Sequence, residues 1–248
     1  MVECHVITLD RTIDNFYKQR PYLIESGIFP KRFKGVDSKL GEHVGYSDHL
    51  TPNCKDFCPT GVIGCGLSHI LLAKQLYEGG SQLVLVLEED AYPLVADLNK
   101  EIQKVISETP SDWDIIKLHC DFCQNDSNKI YNIHEGSTAA YLVNKSGLEK
   151  LSNMKLYFHI DMQWNMDKTL NVYKSKQNIF WADEKQSENR DSTSTFLGKF
   201  NFNKTGQKTI DNVLSFKVFK IFEYEISGWD ILIWGIIIFI IIVSEIIQ

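Results

Sequence analysis

The chain has 248 residues, room for one large domain or two small ones. Its 26 basic and 32 acidic residues leave a net charge of −6, which excludes a generally basic nucleic-acid binder. With 44% hydrophobic and 23% charged residues, most of the chain reads as globular.

Met1-Val2-Glu3-Cys4-His5 lacks the basic start of a secretory signal, and residues 4–9 already read as a strand. Thr12 starts a helical pattern that runs toward Ser26, with Gly27 as its stop and Pro21 as a kink or break inside it. Residues 32–36 read as a second strand ended by Asp37, and residues 39–62 as a long loop. A helix is expected from Gly66 to Glu78, ended by Gly79-Gly80. Leu83-Val84-Leu85-Val86-Leu87 is a continuous apolar run, the pattern of a strand buried on both faces.

An amphipathic helix is expected over residues 95–107 and further strands over 113–118 and 138–143. Ser146 is the expected cap of a helix to Met154, and residues 180–182 read as a last short strand. Strands that alternate with helices predict an α/β domain with a mixed, mostly parallel sheet. Residues 189–209 turn to Ser, Thr, Asn and Lys, the composition of a linker. Apolar positions from Ile210 to Phe222 then fall at helical spacing among Lys208, Lys217 and Lys220.

The C-terminus is very apolar, with no charged or polar side chain over residues 231–243. Extended to residues 229–247 it gives about 28 Å of helix, and Trp229 and Trp234 suit an interfacial belt. The expectation is a single-pass C-terminal membrane anchor with the rest of the protein cytosolic. The alternative is a buried C-terminal helix.

Cytosolic placement argues against disulfides. Cys54-x3-Cys58 and Cys120-x2-Cys123 have the spacing of two zinc half-sites, which leaves a structural zinc, a disulfide pair or free thiols open.

The most informative feature is Glu88-Glu89-Asp90, directly after the buried strand. Acids at the carboxyl end of a central strand sit where open α/β sheets bind ligands. Their repulsion is relieved by a hard divalent ion such as Mg²⁺ or Mn²⁺, unless the triplet is a solvated turn. Gly61-Val62-Ile63-Gly64-Cys65-Gly66 is neither a phosphate-binding Walker loop nor a dinucleotide fingerprint. Its glycines permit close approach of an anion or close helix packing. Ser68 and His69 follow it. Asp161 lies among apolar neighbours, a setting for a general base or for a structural aspartate.

In order along residues 4–195, these segments resemble glycosyltransferase family 25, the lipooligosaccharide and procollagen galactosyltransferase-like group. The resemblance rests on Val6-Ile7-Thr8-Leu9-Asp10-Arg11, Arg32-Phe33-Lys34-Gly35-Val36-Asp37 and Gly64-Cys65-Gly66-Leu67-Ser68-His69. It continues through Leu87-Glu88-Glu89-Asp90, Trp113-Asp114-Ile115-Ile116, Ala140-Tyr141-Leu142-Val143, Ile160-Asp161 and residues 186–194. Glu89 departs from the aspartate usual there.

The resemblance implies a GT-A type nucleotide-sugar-binding domain over residues 1–195, followed by a linker and juxtamembrane segment over 196–228 and the anchor over 229–247. It implies inverting, metal-dependent transfer of a hexose, galactose or glucose, from a UDP-sugar to a hydroxyl on a glycan, protein or lipid. Glu88 and Asp90 would hold Mn²⁺ or Mg²⁺, and Asp161 would be the base. Asp10, Arg11, Asp37, Ser68 and His69 are candidate donor contacts. The rival expectation is a non-enzymatic, membrane-tethered binding protein on a degenerate transferase fold.

Overall fold

A computed structural model of the chain describes residues 2–120, 137–182, 214, 217–222 and 224–247. Its centre is the apolar run, which becomes β3 (Leu83–Glu88). β1 (Glu3–Thr8) pairs in parallel with β3 on one side and with β2 (Pro30–Lys34) on the other. β6 (Ala140–Asn144) runs antiparallel between β3 and β5 (Ile115–Lys117), and β7 (Val172–Lys174) pairs in parallel with β5. The six-stranded order is β2-β1-β3-β6-β5-β7, a mixed sheet with more parallel than antiparallel pairings.

Helices cover both faces. Leu85 and Leu87 of β3 join the core under α1 (Ile13–Glu25) and α4 (Leu98–Glu108). Val84 and Val86 point the other way, into the core of α3 (Thr60–Glu78), α5 (Lys145–Ser152) and α6 (Ile160–Met166). All four side chains are buried, each worth about 1.5–3 kcal/mol against exposure. That two-sided burial is why the strand reads as an unbroken apolar run.

Several boundaries differ from expectation. Pro21 lies inside α1 without dividing it. The helix ends at Gly27, whose φ of 83° lets the Ile28 N–H reach back to the Leu23 carbonyl. α3 begins at Thr60, six residues before Gly66, so the glycines lie within its first turns. A Cβ on Gly64 would sit 2.8 Å from the Val36 carbonyl oxygen, so glycine there lets the helix press against the chain leaving β2. The stretch expected as a loop holds 3-10 turns at Ser38–Leu40 and Glu42–His49, then α2 (Pro52–Phe57) capped by Thr51. Asn144, rather than Ser146, caps α5 by accepting from the Gly147 N–H.

Beyond the end of β3, β4 (Ala91–Pro93) pairs antiparallel with β8 (Phe180–Ala182). β9 (Lys217–Ile221) and β10 (Tyr224–Ser227) form a hairpin where helical spacing had been read. Residues 183–213 and Cys123 lie outside the described residues.

The C-terminal anchor is corrected. A helix, α7 (Gly228–Ile247), does form. Among the described residues, however, no helix is long and apolar enough to cross a membrane. The continuous part of α7 with described side chains, residues 228–240, rises about 20 Å against a hydrocarbon core of about 30 Å. The transmembrane segment of the expected fold, the membrane partner and the single-pass localisation are therefore not supported.

The four-cysteine zinc site is corrected too. Cys120 is disulfide-bonded and has no thiolate to offer a metal. Cys54 and Cys58 are buried free thiols hydrogen-bonded to each other.

At the foot of the sheet one carboxylate ties three strands. Glu3 on β1 accepts from Lys31 Nζ of β2 at 2.8 Å, from Ser81 Oγ just before β3 at 2.8 Å, and faces His5 Nε2 at 3.1 Å. The Lys31 ammonium, and then His5, hold its carboxyl down at about 2. A folded value below the ordinary one stabilises the fold above about pH 4.5, and that contribution is lost as pH falls through about 2. Glu3→Gln is therefore expected to melt below the wild type at pH 7, with the gap closing toward pH 2. Circular dichroism melts across this range check it, and a gap independent of pH would contradict the electrostatic origin.

Candidate active site

β2, β1 and β3 are parallel, and their carboxyl ends open on one side of the sheet, where β3 meets the antiparallel β6. Open α/β sheets place ligands at such an edge. A cleft lies there, with about 840 Å³ of space when its open mouth is included. Thr8 at the end of β1 and Leu9 after it, Val36 to Lys39 after β2, and Glu88 at the end of β3 with Glu89 and Asp90 after it line it. The N-terminal half of α3, from Thr60 to His69, forms the opposite wall.

The three acids meet different surroundings. Glu88 accepts from Thr138 Oγ1 at 2.7 Å, and the same oxygen faces His69 Nε2 at 3.3 Å. Burial pushes the Glu88 carboxyl up, but His69 and Thr138 bring it below its ordinary value. Glu89 accepts from Thr12 Oγ1 at 2.8 Å and from Asn15 Nδ2 at 3.3 Å, while burial keeps its carboxyl raised. Asp90 has no such donors. Burial, and then the charge of Glu88, push it to about 8, and its buried Oδ1 has no hydrogen-bond partner. The turn carrying these acids is held by Gln19 of α1, fully buried, whose side-chain amide donates to the carbonyls of Glu88 and Ala91.

The other predicted site residues are placed as follows. Asp37 is buried in the cleft wall, where Arg11 Nε donates to its Oδ2 at 2.6 Å and the Lys39 N–H to its Oδ1 at 3.1 Å. Asp10 is exposed and paired with Arg32 at 2.6 Å and Lys34 at 3.0 Å, away from the cleft lining. Ser68 lines the cleft, but its hydroxyl accepts from the Val36 N–H at 2.8 Å and donates to the Gly64 carbonyl at 2.6 Å. That pair of bonds pins α3 to the chain after β2. His69 is buried, with Nδ1 3.0 Å from the Tyr141 hydroxyl and its ring in a mutual cluster with those of Tyr141 and Trp164.

Asp161 lies in the first turn of α6, outside the cleft lining, with Oδ1 accepting from the Met162 N–H at 2.8 Å. Its charge is close enough to help raise the Cys65 thiol, after burial and Glu88. The structure thus brings Asp37, Ser68, His69, Glu88 and Asp90 to one cleft, with Arg11 behind Asp37.

Sequence reading missed Gln19, Thr138, Tyr141 and Cys65. Cys65 alone left a signal, its four-residue spacing to His69, which becomes one helical turn only because α3 starts at Thr60 and not at Gly66.

No family model matches the chain, and no curated protein matches it. Among solved structures, A197 from STIV aligns at 10% identity and a TM-score of 0.41, over 73% of this chain and 84% of that one. A glycosyltransferase involved in glycosylation of the major capsid of PBCV-1 aligns at 12% identity and 0.36, over 60% and 63%. A mutant Drosophila galactosyltransferase 7, solved with manganese, UDP-Gal and xylobiose, aligns at 12% identity and 0.38, over 84% of each chain. Likenesses this distant settle neither family nor activity.

Gln19→Leu is expected to lower stability by about 1–3 kcal/mol for each carbonyl left buried without a donor. Urea unfolding of both proteins measures this, and an unchanged midpoint would show that the acidic turn does not depend on Gln19.

Proposed function

We propose that this chain is a glycosyltransferase that moves a hexose, galactose or glucose, from a UDP-sugar to an acceptor hydroxyl with inversion. The observation that carries the reading is the acidic end of β3, with its unpartnered buried Asp90 oxygen, opening into a cleft at the carboxyl ends of parallel strands. An acidic cleft repels a diphosphate unless a cation stands between them. Glu88 and Asp90 fit that role, because Asp90 Oδ1 is desolvated and lacks a donor, which a cation would satisfy. When bound, the ion would neutralise the charge that develops on the leaving diphosphate.

The remaining roles belong to the chain itself. Asp37, held by Arg11, presents a fixed wall to the nucleotide half of the cleft. Ser68 and Gly64 keep α3 close to that wall, which sets the width of the opening. Gln19 and Thr138 orient the acidic turn. Asp161 takes the proton from the acceptor hydroxyl as its oxygen attacks the anomeric carbon on the face opposite the diphosphate. The residues 1–195 would form the catalytic unit, and the acceptor would be a glycan, protein or lipid.

Two substitutions separate these roles. Asp90→Asn is expected to abolish divalent-dependent UDP release from a UDP-hexose and to weaken UDP binding in the presence of the ion. Wild-type turnover in that variant, or turnover indifferent to chelator, would refute the reading. Asp161→Asn is expected to slow sugar transfer by about 10²–10⁴-fold with UDP affinity unchanged. Calorimetric UDP titration and timed transfer on one preparation distinguish the two. Near-normal transfer with a lowered melting temperature would make Asp161 a helix-capping residue instead.

A further inference from the structure

Cys65 and His69 stand one turn apart on α3 and point toward the end of β3. The Cys65 sulfur, a His69 ring nitrogen and a Glu88 carboxylate oxygen all lie within 4.8 Å of one another. We propose that this trio binds a divalent transition ion of the zinc class, with Cys65 Sγ, His69 Nε2 and Glu88 as its protein ligands and the cleft as its open position. The proposal deepens the reading above, since it shares Glu88 and names the class of ion the cleft would hold.

Four observations carry it. First, the ligand types match: thiolate and imidazole select borderline-soft ions, whereas magnesium takes oxygen. Second, the nitrogen–oxygen spacing matches. Two nitrogen or oxygen ligands of one tetrahedral zinc lie about 3.3 Å apart, given bonds of about 2.0–2.2 Å. His69 Nε2 and Glu88 Oε1 are 3.3 Å apart.

Third, His69 is oriented as metal-binding histidines are. Its other nitrogen meets the buried Tyr141 hydroxyl at 3.0 Å, and the ring packs against the Tyr141–Trp164 pair, whose own rings are in contact. With Nδ1–H donating to Tyr141, the Nε2 lone pair faces Cys65 and Glu88. Fourth, the trio opens into the same cleft as the desolvated Asp90 oxygen that has no partner. Three protein ligands with one open position is the arrangement of a catalytic rather than a structural zinc.

The competing arrangement needs no metal. Nε2–H would donate to Glu88, and the Tyr141 hydroxyl would donate to Nδ1.

The test uses the full chain, stripped of metal and titrated with Co²⁺ in the absence of nucleotide, because zinc itself is spectroscopically silent. An intense near-ultraviolet thiolate-to-cobalt band is expected, displaced by Zn²⁺ but not by equimolar Mg²⁺. It is expected to vanish in Cys65→Ser and to persist in Cys54→Ser, which removes a thiol of the other buried pair. Tyr141→Phe is expected to weaken Co²⁺ binding by about 10–100-fold.

X-ray absorption of the zinc-loaded wild type requires no variant, and one sulfur neighbour at about 2.3 Å is expected. No thiolate band, a band that survives Cys65→Ser, or a zinc shell with no sulfur or with two sulfurs overturns the proposal. Failure here would leave ion-dependent UDP release intact, so it is distinguishable from failure of the transferase reading.

Discussion

Three consecutive carboxylates at the end of a strand buried on both faces create the constraint around which this molecule is arranged. Charges so close in a desolvated setting repel strongly. The fold answers each one separately. Glu88 is shared between Thr138 and His69, and Glu89 is turned toward Thr12, just before α1, and Asn15 of α1. Asp90 alone is left with a buried oxygen that nothing in the described structure satisfies. A group in that state costs stability, and such costs are concentrated where proteins act on ligands.

The rest of the architecture makes that cost bearable. Apolar cores on both faces of the sheet supply the stability, and the parallel trio β2-β1-β3 carries its loops to the same edge as the acids. The glycine at position 64 lets α3 approach until the Ser68 hydroxyl bridges the Val36 N–H and the Gly64 carbonyl. The cleft is therefore narrow on the side of α3 and acidic on the side of β3. It suits an anionic donor only in the company of a cation, which ties the proposed chemistry to the electrostatics of one turn.

Sulfur and imidazole beside these carboxylates alter the expected chemistry of the ion. A purely oxygen-lined site would favour magnesium, whereas the half-buried Cys65 and the clamped His69 bring softer donors within reach of Glu88. Asp161 lies in the first turn of α6 outside the cleft lining, with its charge still felt at Cys65.

Local pattern determined a good deal of this protein. The unbroken apolar run after Gln82 read as a strand covered on both faces and is one, with the acids at its carboxyl end. Gly27 ended its helix as its backbone freedom allows, whereas β2 stopped at Lys34 and Asp37 capped the 3-10 turn that follows instead of ending the strand. Tertiary structure decided what depended on partners distant in sequence. α3 runs from Thr60 through its glycines, with Gly64 against Val36 and Ser38 after β2 and Gly66 against Leu156, contacts that propensity does not encode. Gln19 and Thr138 became part of the site through hydrogen bonds spanning 69 and 50 residues. The cysteine pairs read as one zinc site went separate ways, one thiol into a disulfide and two into the core. Cys65 fell just before the helix expected from Gly66, so both its place one turn before His69 and the approach of Glu88 emerged only from the folded chain. Sequence spacing sets contacts within one element, whereas the fold alone brings separate elements together.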